Sequence, residues 1–116
     1  NYCTQQHWIT GGGKLLLVYT RRAENNGHVF RHRAPLFAAE VDPDSLRIRR
    51  DTERIAVPER GARLGNFGCT HLSGTESWVV VSEWMQSPGP PGPENLKRCT
   101  DRGSDNSIFI ARLLFR

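Results

Sequence analysis

The sequence predicts an all-β fold built from antiparallel meanders, and three observations carry that expectation. Helical periodicity is nearly absent along the chain. Short apolar runs alternate instead with turn clusters rich in Gly, Asn, Asp or Pro, and one run holds three consecutive valines between Trp78 and Trp84.

The elements follow from this alternation in order. Residues 6–10 read as a first strand, Gly11-Gly12-Gly13 as a hairpin loop, and 14–20 as a second strand rich in Leu, Val and Tyr. After a polar loop at 22–27, a third run spans 28–41 and is interrupted at Pro35, which cannot donate to a ladder. Asp42-Pro43-Asp44 turns the chain into 46–49, where Leu46 and Ile48 alternate with Arg47 and Arg49 as in a charged edge strand. Residues 50–65, charged and carrying Pro58 and Gly61, read as a linker. A short strand at 66–72, a turn at 73–76 and the strong strand 77–85 come next. The Pro- and Gly-rich segment 87–106 reads as a long irregular loop, and 107–115 as the last strand.

Two strand groups, 5–49 and 66–115, thus flank the linker in one unit covering 1–116. Each is roughly the length of a propeller blade, about 50 residues. The fold class expected is therefore an incomplete β-propeller segment, with a small β-sandwich as the alternative. A propeller ring needs more blades than 116 residues supply, so upstream blades of a longer protein are expected as partners, and any leader would lie upstream.

Composition narrows the function. A 37% hydrophobic content allows one modest core, and the net charge of +4 arises from 16 basic and 12 acidic residues interspersed along the chain. Arg far outnumbers Lys and follows no helical stripe, which argues against nucleic-acid binding. Cys3, Cys69 and Cys99 are too few and too far apart for a zinc knuckle, so neither metal nor cofactor is expected. At most one disulfide can form, and Cys69, inside a strand-like run, is expected as a buried free thiol. No apolar run approaches the ~20 residues of a membrane span. The compartment stays open.

The candidate binding residues lie in 28–37. In an extended chain Arg31 and Arg33 share a face, about 6–7 Å apart. Each guanidinium can grip a carboxylate or phosphate with two parallel bonds. Arg21 and Arg22 lie one loop upstream, and Arg33 stands at a strand entrance. The alternative for these arginines is surface ion pairing. Glu83 is either an outward strand residue or an inward carboxylate that must be paired. His7 and His32 read as packed or surface residues. Trp8, Trp78 and Trp84 are either core or sugar-stacking platforms, with Trp84 closest to the long loop.

The turn Ala23-Glu24-Asn25-Asn26-Gly27-His28-Val29-Phe30 resembles a degenerate Asp-box, the Ser-x-Asp-x-Gly-x-Thr-Trp turn of sialidases and related propellers. Gly27 and an aromatic are kept, while Ala23, Asn25 and Val29 depart from the pattern. With Gln5-Gln6-His7-Trp8, Leu17-Val18-Tyr19-Thr20-Arg21-Arg22, His28 to Phe37, Gly65-Asn66-Phe67, Glu83-Trp84-Met85 and Ser104-Asp105-Asn106-Ser107, the chain resembles the C-terminal part of bacterial sialidase-like propeller proteins. The resemblance implies an exo-acting glycoside hydrolase for terminal acidic sugars, which uses an arginine cluster for the substrate carboxylate and a Tyr nucleophile assisted by Glu. Arg21, Arg31 and Arg33, with Trp84, are then the substrate-binding candidates, and Tyr19 and Glu83 the catalytic ones. A noncatalytic propeller that binds glycan or protein, and a free-standing small β domain using arginines for protein contacts, are the other classes.

Overall fold

A computed structural model describes residues 5–116, so Cys3 and its pairing lie outside the described residues. The architecture is two antiparallel sheets that face each other over one core. The first is a meander, β1 (His7–Gly11), β2 (Lys14–Tyr19), β3 (Leu36–Glu40) and β4 (Arg54–Val57), paired in chain order. Gly12 and Gly13 both take positive φ, 55° and 73°, which is what a two-residue hairpin turn matched to strand twist requires. In the second sheet the nine-residue β7 (Glu76–Trp84) is central. Along one of its edges run β5 (Arg63–Leu64) and then β6 (Gly68–Ser73), and along the other β8 (Ile108–Leu114). Neither sheet closes on itself.

Period-two alternation places the core. Ile9, Val18, Leu36, Ala38 and Val57 from the first sheet meet Leu64, Phe67, Val79 and Val81 from the second. The opposite face of the first sheet buries Tyr19, Phe37 and Ala39 under the excursion that carries Ile48. The opposite face of the second sheet stays bare, with Val80, Ile108, Ile110 and Leu114 exposed and Val80 paired with Ile110.

Phe115, partly buried, packs against the core between the two sheets. Its backbone N–H donates to the Thr75 carbonyl at 2.9 Å, and its ring lies across Gly11, where a Cβ would come within 2.4 Å of it. Gly11→Ala is therefore expected to cost about 1–3 kcal/mol in urea unfolding, whereas Gly68→Ala, with open space at its Cβ, should leave the midpoint unchanged within error.

Four local expectations are corrected. Residues 28–33, expected to run extended into a strand that starts at Pro35, instead make a 3-10 turn at Phe30–His32, with Arg31 and His32 at φ 55° and 53°, and the strand β3 follows from Leu36. Residues 46–49 form no strand and share only the bridge Val41 to Ile48 with the chain before them among the described residues, because the Asp42 carboxylate accepts from the Asp44 and Ser45 amides and holds that segment as a turn. The strand that pairs with the outer side of β3 is β4, which, with β5, lies inside the expected linker 50–65. The expected loop 87–106 contains α1 (Pro93–Thr100). Pro93 sits at the helix start, where its missing N–H is no loss. Buried Asn95 ties the helix to the Ser87 backbone at both amide atoms, 2.8 Å each. No helix is long and apolar enough to cross a membrane among the described residues.

Cys69 is half-buried and Cys99, on α1, is buried, both with free thiols. Burial pushes the Cys69 thiol up to about 11.

Candidate functional site

The loop from β2 to β3 is folded by one buried amide. Asn26 accepts from the Ala23 amide at 2.8 Å and donates to the carbonyls of Arg21 and Ala34 at 2.9 and 3.0 Å. Asn25, the residue aligned with the Asp of the Asp-box pattern, is exposed. This loop brings Phe30, Arg31 and Arg33 over the start of the second sheet. There Arg63 on β5 pairs in register with Trp84 on β7.

Arg63 is the unusual residue. It is 5% exposed, with its guanidinium 3.5 Å from the Trp84 ring centroid and 4.7 Å from that of Phe30. Its Nε has no hydrogen-bond partner, and no carboxylate reaches it among the described residues. Burial, and then the charges of Arg33 and Arg31, hold it below the ordinary arginine range. A buried cation next to other cations is costly unless an anion joins it. Arg33, also buried, donates to Asn66 Oδ1 at 2.9 Å, while Arg31 is exposed. Arg31 and Arg33 both lie near enough to Arg63 for their charges to act on it, and a turn rather than a shared strand face brings them there. Arg63 is its deepest member, hidden from sequence reading because it lies in the segment read as linker.

Glu83 belongs to a different constellation. It is 3% exposed on the inner face of β7 and accepts from Arg60 through both oxygens, at 2.7 and 3.1 Å. The backbone amides of Asp105 and Ser107 donate to it at 3.2 and 3.0 Å. Arg60 also donates to Asp105 at 2.5 Å. Burial raises the Glu83 carboxyl, but Arg60 and the two amides outweigh it and leave the group below the ordinary carboxylate range. This is a clamp that pins 104–107 beside β7.

Tyr19 and Arg21 form a third group, around Glu53. The Tyr19 hydroxyl donates to Glu53, and Arg21 grips the same carboxylate at 2.6 and 3.1 Å while its guanidinium lies 4.4 Å over Phe37. Tyr19 is 2% exposed, and burial followed by the Glu53 bond and charge pushes its phenol well above the ordinary tyrosine value. A nucleophile needs the opposite shift and an open approach. The structure thus joins Tyr19 to Glu53, not to Glu83. Tyr19→Phe keeps the stacking on Phe37 and loses one hydrogen bond, so it should cost about 1 kcal/mol in stability and leave ligand affinity unchanged. Loss of glycan turnover in that variant at unaltered stability would make Tyr19 a nucleophile after all.

Beside Trp84 lies a shallow, solvent-open depression of about 720 Å³ bordered by residues that include Asn66, Ser82, Leu96 and Asn106. Trp84 is half-exposed there. Among the described residues, no group of three or more His, Cys, Asp or Glu side chains is gathered for a metal ion. Compared with known proteins, the chain matches no family model, no curated protein and no solved structure.

Proposed function

We propose that this chain is part of a sialidase-like β-propeller protein and binds the carboxylate of a terminal acidic sugar through Arg63, Arg33 and Arg31. The observation that carries the reading is Arg63: a buried guanidinium held between two aromatic rings, without an anionic partner among the described residues. Such a group suits a carboxylate, which accepts two parallel bonds from one fork. The noncatalytic form of the reading is favoured for this segment, because Tyr19 and Glu83 lie in separate, internally satisfied clusters. In the hydrolytic form, catalytic groups from elsewhere in the protein would act on the sugar that these arginines hold.

The propeller part of the reading is supported by the chain-order meander of the first sheet and by the bare apolar face of the second. A neighbouring blade is the partner such a face fits, since sheets pack face to face through interdigitating apolar side chains. The test is Arg33→Ala in the full-length protein, with affinity for methyl N-acetylneuraminate glycoside read by calorimetry. A loss of at least about 30-fold is expected for one charge-assisted contact; unchanged affinity for every acidic sugar tried would overturn the reading.

A further inference from the structure

We infer that β8 is a dimer edge, which pairs antiparallel with β8 of a second copy about a twofold axis through Ala111 and so joins the second sheets of the two copies into one. The inference stands apart from the acidic-sugar reading, because Arg31, Arg33 and Arg63 all lie off β8. Among the described residues β8 forms a ladder with β7 alone, and β4 of the facing sheet comes near it without pairing. A strand placed this way presents a row of backbone donors and acceptors to a further strand.

Edges that stay single are blunted by proline, by bulges or by charge. β8, Ile108–Leu114, has no proline and runs against β7 in unbroken register, and Arg112 is its one charged residue. That guanidinium is turned onto Glu76 of β7, 2.6 Å away. What remains at the edge is apolar.

The strand is also complementary to itself. Opposed residues of an antiparallel pair share a face and interact as a unit. With Ala111 on the axis, all seven residues of the strand find a partner: Ile108 faces Leu114 of the second copy, Phe109 faces Leu113, and Ile110 faces Arg112. Phe109, Ala111 and Leu113 pack against the core only partly buried, so the Phe109 to Leu113 pairs would extend that core across the axis. Ile108, Ile110 and Leu114 are exposed on the other face, where Ile108 and Leu114 would cover one another. Other registers fit worse. An axis through Arg112 opposes two like charges, one through Ile110 sets Leu113 and Leu114 against Ser107 and Asn106 beyond the strand, and one between residues sets outward side chains against inward ones.

The experiment is sedimentation equilibrium of the full-length protein at up to about 100 μM, where a dimer of micromolar affinity is well populated. Ile110 is half-exposed, so charged replacements there leave the fold intact, and each would stand opposite Arg112 of the second copy. The unsubstituted protein should be a dimer. Ile110→Lys, which opposes like charges twice per dimer, should weaken it at least about tenfold, whereas Ile110→Glu, which opposes unlike charges, should leave it at least as tight. Equal weakening by both variants would place the contact on the apolar face instead of the strand edge and overturn the inference. A dimer unaffected by Ile110→Lys, or a monomer throughout, would overturn it as well.

Discussion

Arg63→Met should make the protein more stable and nearly abolish its affinity for acidic sugar. Methionine is shorter than arginine but keeps an unbranched apolar stem of similar volume, and its sulfur packs well against rings, so it can fill much of the space beside Phe30 and Trp84. What disappears is a buried positive charge beside Arg33 and Arg31. Replacing buried ionic groups by apolar side chains of similar volume is often neutral or stabilising, and a gain of about 1–2 kcal/mol is expected here in urea unfolding. The cation–π contacts with the two rings oppose this gain but are worth only ~1–2 kcal/mol together. Affinity for an acidic glycan should fall at least about 100-fold. A substitution that stabilises the fold and removes binding marks a residue kept for function. If Arg63→Met instead unfolds the protein, the guanidinium is structural and the site is elsewhere.

The second large effect is at Glu83. Glu83→Ala leaves two backbone amides and Arg60 without their buried acceptor, and should cost about 3 kcal/mol. The pH dependence follows from the direction of the shift. Glu83 titrates below its ordinary value in the folded protein, so its contribution is present above the unfolded carboxyl value, about 4.3, and is lost as pH falls through the folded one. Glu53, Asp42 and Asp105 are lowered too and act in the same sense. Stability should therefore hold near neutral pH and fall below about pH 4, with a shallower acid decline in Glu83→Gln. An acid limb identical in Glu83→Gln and the unsubstituted protein would show that the clamp carries no linkage. At the alkaline end the raised Tyr19 value makes stability fall once pH exceeds the unfolded tyrosine value of about 10.

Much of the sheet structure was legible because glycines, asparagines and prolines punctuate it. The Gly11-Gly12-Gly13 hairpin and the valine run of β7 are read directly from residue types. The helix at Pro93–Thr100 was not, since its apolar residues are only Leu96 and Cys99, and proline and glycine crowd the segment before it. Alternation misled at Leu46 and Ile48, where an Asx turn outcompetes strand pairing. At the site, the sequence singled out Arg31, Arg33 and Trp84 as chemistry-bearing, and the structure brings them to one region. It could not show Arg63 against Phe30, a contact across 33 residues (63 − 30) between a loop turn and a two-residue strand. Nor could it separate Tyr19 from Glu83, because which carboxylate a tyrosine meets is decided by the sheet to which each strand belongs.

The role of the arginines is tested most directly by changing the ligand rather than the protein. Calorimetric titration of the full-length protein with methyl N-acetylneuraminate glycoside, and with the same glycoside whose carboxylate has been reduced to an alcohol, isolates the charge that Arg63, Arg33 and Arg31 would hold. The carboxylate form should bind at least about 30-fold more tightly, with the difference collapsing in Arg63→Met. Equal affinity for the two forms, or a difference that survives in Arg63→Met, would contradict the assignment.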